Sequence, residues 1–531
     1  MGFILAASGS AIGLGNIVVF SGNAYKYGGG AFYLPYFIAL FCVGIPVMVL
    51  EFGLGGMTRK SFPLAMRQVG GRFGGWLSEW VGWFAILNAG FISMWYVTLL
   101  AWVVGMGVGA FHQEVFVDTT TVEWAGREFA GPQGYFFNMI AGWLPVGFVV
   151  IVWILNIVLT SRGTKTIEAA VKVFVPLMWI AMIVLVVQGF RLDGGFDGVK
   201  VLFTPELEAL KDVATWRGAT SQILFTLSLG FGVMTAYASY LPKDADHAHN
   251  AITTSLLNCG FEWIAGVAIF SILFVYAIAP SASTIAMMYF TVPRGIGALP
   301  IDHQIFGVAF FALLLIAGLT SSISLVEALV AAMRDKFGTS RGKVLVVACS
   351  IGAVGSIACT LPQIIDGGLA HDGTLGFTIL DLLAHWSFDT GLLIVAILEC
   401  LVVGWLFGSH KLRRYINEGS RFQLVGVTGL AFDLLIRFLI PGALAYILYT
   451  QVVGGEFGTG ADGARTFTPY GHDFALSYTV DKASTWHAVL DVLPQIVLGV
   501  WVVGSVVVAM FLAFGKARVS APSATPVGGV R

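Results

Sequence analysis

Eight residues near the start of the chain, Gly9-Ser10-Ala11-Ile12-Gly13-Leu14-Gly15-Asn16, carry unusual chemistry for an apolar setting. Each Gly costs a helix interior about 1 kcal/mol relative to Ala. The stretch is therefore a weak helix inside an apolar segment that runs to about Tyr25. A membrane helix that breaks here bares amides and carbonyls at mid-depth, which is tolerated only where protein or a wet cavity satisfies them. Bared carbonyls suit a cation such as Na⁺, and the positive end of a half-helix suits a carboxylate. The plainer alternative is a close helix crossing on small residues. A second stretch, Ser221-Gln222-Ile223-Leu224-Phe225-Thr226-Leu227-Ser228-Leu229-Gly230-Phe231-Gly232, repeats the pattern in the second half of the chain. Paired interruptions at matching positions point to a transport site. The hydroxyl run Thr320-Ser321-Ser322 offers cation ligands, or only interhelical hydrogen bonds. Glu51, Glu262, Glu327 and Glu399 also fall inside apolar segments. A carboxylate there is costly and calls for a partner or a function.

The elements that must position these groups follow from composition. The 531 residues are 57% hydrophobic and 11% charged, too few charges for a soluble surface of this size. Net charge is −1, so nothing suggests nucleic acid, and the five cysteines show no metal-type spacing. The pattern predicts an all-α membrane protein with about twelve spans near 2–25, 31–56, 76–111, 136–160, 166–189, 213–241, 248–280, 303–333, 344–362, 376–408, 422–451 and 486–515. Broken spans one and six each open a five-helix set. An odd number of crossings per set gives inverted repeats over about 1–189 and 213–408, with two extra helices in 422–515. One transmembrane domain covers 1–515, and 516–531 reads as a disordered tail. Arg59, Lys60, Arg67, Arg334, Lys336, Arg341, Lys343, Lys411, Arg413 and Arg414 fall in loops on one side. That side is expected to be the cytoplasm of a plasma-membrane protein with both termini inside. Only about two to three turns precede the first break, so either that helix starts within the membrane or the true start lies upstream.

Several motifs then resemble one family, the neurotransmitter:sodium symporters, and in particular its prokaryotic amino-acid transporters. They are Gly13-Leu14-Gly15-Asn16, Gly28-Gly29-Gly30-Ala31-Phe32 with Pro35-Tyr36, Phe225-Thr226-Leu227-Ser228-Leu229-Gly230 with Tyr237-Ala238-Ser239-Tyr240, and Ala317-Gly318-Leu319-Thr320-Ser321-Ser322. The resemblance spans Gly2 to about Tyr449. It implies two sodium sites, one from Ala11, Asn16, Thr226, Asn258 and the substrate carboxylate, the other from Gly9, Ile12, Ala317, Thr320 and Ser321. It implies a substrate pocket of Ala11, Gly13, Gly15, Ile92, Tyr96, Phe225, Thr226, Ser228, Phe231, Ser321 and Leu325. Monoamine carriers of the family hold an Asp at the position of Gly13. A bare Gly here implies a substrate that brings its own carboxylate, a neutral and hydrophobic amino acid.

In chloride-dependent relatives a Ser stands at the position of Glu262. A fixed carboxylate beside Tyr36, Gln222, Thr226 and Asn258 implies chloride-independent symport and leaves proton antiport open. Asp335 matches the inner-gate acid. The outer-gate Arg and Asp are both missing, with Val19 and Ala384 in their places, which leaves Tyr96 and Phe225 to close that side. Glu51, Glu327 and Glu399 are expected to be buried hydrogen-bonding struts. No covalent chemistry is implied, and a homodimer is left open. The alternative reading is a transport-inactive amino-acid sensor, or a partner-binding membrane protein, on the same fold.

Overall fold

The computed structural model describes residues 2–116, 122–124, 127–242, 244–281, 283–299, 302–365, 378–459, 465–467, 470 and 485–515. The tail expected to be disordered, 516–531, lies outside them. Among the described residues nine helices are long and apolar enough to cross a membrane, and up to eleven if each sharply bent pair is one span. The first bent pair is α1 (Ile4–Ala11) and α2 (Gly15–Lys26), at 58°. There follow α3 (Gly30–Thr58) and α4 (Gly74–Phe111). The span expected at 136–160 is instead two helices at 84°, α5 (Gly131–Ala141) and α6 (Leu144–Thr160). The chain straightens at Gly142, and Pro145 sits in the first turn of α6, where its missing amide costs least.

Next come α7 (Thr164–Arg191), α8 (Val213–Thr226), α9 (Val233–Ala238), α10 (His247–Leu273), α11 (His303–Phe337) and α12 (Arg341–Ile365). Three more close the chain: α13 (Ile379–Gly419), α14 (Gly426–Val453) and α15 (Val492–Phe514). Helix α13 continues past its expected end at 408, turning at Gly408, whose φ is +95°. Among the described residues the strands form two small antiparallel hairpins, pairing Val122–Trp124 with Arg127–Phe129 and Phe457–Thr459 with Arg465–Phe467. Val173, Ile180, Val184 and Phe511 lie exposed on α7 and α15, an apolar outer surface that suits lipid.

Helices α4 and α11 pack along much of their length, and α6 and α12 close on α4. Their contact is polar where it must be. The Trp153 indole donates to Ser356 Oγ at 3.0 Å, and Ser322 Oγ donates to Asn156 Oδ1 at 2.9 Å. The break between α8 and α9 has a backbone cause. Ser228, Gly230 and Gly232 all have φ between +54° and +75°. Gly adopts that region freely, whereas Ser228 adopts it at a cost of about 1 kcal/mol or more. Glu51 of α3 holds the break from outside. Its carboxylate accepts the Gly230 amide at 2.8 Å and the Thr235 amide at 3.4 Å, at the positive end of α9.

Glu51 thus has the bonded strut role expected of it. Glu327 does as well, in an ion pair with Arg341 that also reaches the Tyr240 hydroxyl at 3.4 Å. Glu399 departs from expectation: among the described residues neither of its buried oxygens meets a donor. Lys336 departs too. Rather than lying free in a loop it is fully buried, paired with Glu79, which also accepts from Arg67 at 2.6 Å and from the Trp83 indole at 3.1 Å.

Removing one partner of a buried ion pair costs about 3–5 kcal/mol, because the other charge is stranded. Glu79→Gln is therefore expected to lower the thermal unfolding midpoint sharply in detergent. Adding Lys336→Met should recover most of the loss. A single variant as stable as the parent contradicts the assignment.

Candidate functional site

The two broken helices meet. All eleven residues expected around a substrate line one cavity, completed by Ser10, Asn16, Val233 and Ser324. Ser10 belongs to the first glycine-rich stretch, and Ser324 follows Ser321 by one helical turn, so both lay within reach of the sequence pattern. At the α1/α2 break the Gly13 amide donates to Asn16 Oδ1 at 2.7 Å, and the Leu14 amide donates to the Tyr96 hydroxyl at 3.4 Å. The Tyr96 hydroxyl accepts there, and its own proton is left for Ser321 Oγ, another wall of the cavity. A Cβ added at Gly13 would lie 2.7 Å from Ser321 Oγ and 3.0 Å from the Tyr96 hydroxyl. One added at Gly15 would lie 2.6 Å from the Phe225 ring. Both glycines are thus sites of close approach.

A polar network extends from this break into the α8/α10 interface. The Asn16 amide nitrogen donates to Thr226 Oγ1 at 3.0 Å and to Asn258 Oδ1 at 2.8 Å. The Asn258 amide donates to Thr226 Oγ1 at 2.9 Å. Thr226 then donates to Glu262 Oε1 at 2.5 Å, Gln222 Nε2 donates to the same oxygen at 2.7 Å, and the Tyr36 hydroxyl donates to Oε2. Glu262 is fully buried and accepts three hydrogen bonds, an arrangement that suits an ionised carboxylate. The Asn16 oxygen faces Gly13, so cation ligation at this point needs the amide turned over by a half-rotation. Asn23 adds a link the sequence did not suggest, donating to Gln222 Oε1 at 3.1 Å.

The second oxygen cluster lies across α1 and α11. Thr320 Oγ1 reaches the Ile12 carbonyl at 3.3 Å and the Ala317 carbonyl at 2.7 Å. Ser321 Oγ donates to the Ser10 carbonyl at 3.0 Å. Gly9 packs against Val175 of α7, with room for no side chain. Neutral carbonyls and hydroxyls are hard ligands that favour alkali and alkaline-earth cations over transition metals. Among the described residues no cluster of three or more His, Cys, Asp or Glu could hold a metal ion. Asp335 stands apart from both clusters, its carboxylate accepting the Ser61 amide at 2.8 Å.

Val19 and Ala384, which stand at the family's outer-gate positions, carry no charge to pair. Asp381 accepts the Tyr470 hydroxyl at 2.8 Å, and Asp389 lies 3.7 Å from His385. The contact that sequence reasoning missed is aromatic. Phe388 of α13 meets Phe225 edge-on, with ring centroids 4.5 Å apart. A lone Phe in an apolar segment gives no signal of such a role.

Apolar spans, two interrupted helices meeting at one cavity, and paired sets of oxygen donors define a multi-pass membrane transporter rather than an enzyme. The chain belongs to the sodium:neurotransmitter symporter family, whose model matches residues 1–133 and 140–458. It is 38% identical over 478 residues to an uncharacterised sodium-dependent transporter of Methanocaldococcus jannaschii, covering 86% of this chain and 91% of that one. It is 27% identical over 462 residues to the human sodium- and chloride-dependent GABA transporter 2, covering 79% of this chain and 74% of that one. The crystal structure of MhsT in complex with L-phenylalanine matches with a TM-score of 0.72 at 28% identity, over 85% of this chain and 98% of that one.

Proposed function

We propose that this protein carries a neutral, hydrophobic L-amino acid into the cell with Na⁺, independently of chloride, by alternating access. The observation that carries the reading is the meeting of both helix breaks at one cavity, with Tyr96 and the Gly13–Asn16 backbone on one wall and Thr226, Ser321 and Glu262 close by. The substrate carboxylate would accept from the Tyr96 hydroxyl, and its ammonium would meet carbonyls of Ala11 and the α8/α9 break. Ile92, Phe231 and Leu325 would pack its side chain. One Na⁺ would lie among Ala11, Asn16, Thr226, Asn258 and the substrate, and a second among Gly9, Ile12, Ala317, Thr320 and Ser321. The relative solved with L-phenylalanine supports an amino-acid cargo.

Glu262 would supply the negative charge that a chloride supplies in relatives whose names record chloride dependence. Protonation of the same carboxylate in the empty carrier would make the return step neutral, and so couple a proton outward. The single transmembrane domain, a plasma-membrane location and cytoplasmic termini belong to this reading.

The test is uptake of labelled neutral amino acids into proteoliposomes, with and without an inward Na⁺ gradient. Uptake of one or a few that collapses at least tenfold without Na⁺ is the expected result. Na⁺-dependent binding without any uptake overturns the carrier reading in favour of a sensor.

A further inference from the structure

We infer that Phe388 is the positioning residue that latches the outer gate, holding the Phe225 ring over the substrate cavity. The inference rests on the reading of that cavity as the transport site. Phe225 is a wall of the cavity and packs closely against Gly15, at the α1/α2 break. Phe388 does not line the cavity. It stands behind Phe225, with ring centroids 4.5 Å apart and planes at 85°. Phe388 itself is half-buried and the next residue, Asp389, has a side chain 47% exposed, so this turn of α13 reaches toward solvent. A substrate leaving outward must displace Phe225, and Phe225 cannot swing away without breaking this contact.

The latch is also fixed in place. Phe388 lies in a π-helical turn, His385–Gly391, which widens α13 at this point. The preceding residue is tied to α4 twice: the Asn88 amide donates to the Ser387 carbonyl at 2.8 Å, and the Trp95 indole donates to Ser387 Oγ at 3.1 Å. The Trp501 indole in turn holds Asn88 Oδ1 at 2.9 Å. Trp95 makes a second edge-on contact with Phe388, at 6.2 Å, and a third with Tyr96, at 6.0 Å. Phe225, Phe388, Trp95 and Tyr96 thus form a continuous aromatic path from the lid to the carboxylate end of the cavity. With Val19 and Ala384 unable to pair by charge, this path joins α8 to α13 through ring contacts.

The experiment measures the dissociation rate of a labelled amino acid from the purified, Na⁺-loaded protein on dilution into Na⁺ buffer with excess unlabelled amino acid. A rate constant does not depend on what fraction of a variant is folded, so a merely structural role leaves it unchanged. Phe388→Ala is expected to speed dissociation about tenfold, the scale of one lost aromatic pair. Phe388→Leu keeps an apolar side chain without a ring and should give about threefold, and Phe388→Tyr should keep the parent rate. Parent-like rates in both Ala and Leu variants, or a slower rate in either, overturn the latch while leaving the transport reading intact. A parent protein that binds no amino acid in Na⁺ overturns the transport reading and the latch with it.

Discussion

Glu262→Ser is expected to make transport depend on chloride. The parent protein should take up its amino acid equally well when gluconate replaces chloride. The variant should lose at least about a hundredfold of its initial rate in gluconate and recover most of it on return to chloride. The Thr226 hydroxyl, the Gln222 amide and the Tyr36 hydroxyl all point at the Glu262 carboxylate, in a fully buried pocket. Each buried donor left without an acceptor costs about 1–3 kcal/mol. Three of them together, at about 3–9 kcal/mol, exceed the roughly 2.8 kcal/mol that a hundredfold change represents.

Ser replaces at most one acceptor and removes the charge, while an anion held in the same space would meet all three donors and restore the charge. Thr226 also bonds Asn16 and Asn258, so the change is felt at the α1/α2 break. Glu262→Gln separates the two effects, since it fills the space but carries no charge and leaves no room for an anion. It should be slow with or without chloride. A Ser variant indifferent to chloride would reduce Glu262 to a hydrogen-bonding strut.

How much of this was legible in the sequence varied with the range of the interaction. Asn16, Thr226 and Ser321 were legible as candidates because local composition marks them: glycine and hydroxyl residues inside apolar segments conflict with helix continuity, and either a site or a close helix crossing resolves the conflict. Glu262 was legible because a carboxylate in such a segment needs a reason. Lys336 was not. Its charge sits near a helix end, where loop cations are common, and its partner Glu79 is 257 residues away in sequence. The same holds for the Asn88–Ser387 bond, which joins residues 299 apart. Phe388 was invisible for another reason. Its residue type is the default filling of an apolar helix, and only the ring geometry against Phe225 distinguishes it from packing. The 84° bend between α5 and α6 lay in between, since Gly142 and Pro145 mark a turn that hydropathy alone runs straight through.

Gly13→Asp carries the other large effect, and it probes what the substrate must bring. The Tyr96 hydroxyl and Ser321 Oγ already crowd the space where any side chain at position 13 would start, at 3.0 and 2.7 Å from an added Cβ. An Asp side chain there would place its carboxylate in the same part of the cavity as the proposed substrate carboxylate. Two carboxylates within about 4 Å in a medium less polarisable than water repel by several kcal/mol. Binding of the parent's amino acid should therefore fall by more than about a hundredfold in an equilibrium binding assay in Na⁺ buffer. The matching amine, the same molecule without its carboxylate, should gain affinity, because the protein now carries the charge that this ligand lacks. Gly13→Ala isolates the steric part and should weaken both ligands by a similar, smaller factor. If Asp and Ala weaken the amino acid equally and neither improves the amine, crowding explains the result and the substrate carboxylate lies elsewhere in the cavity.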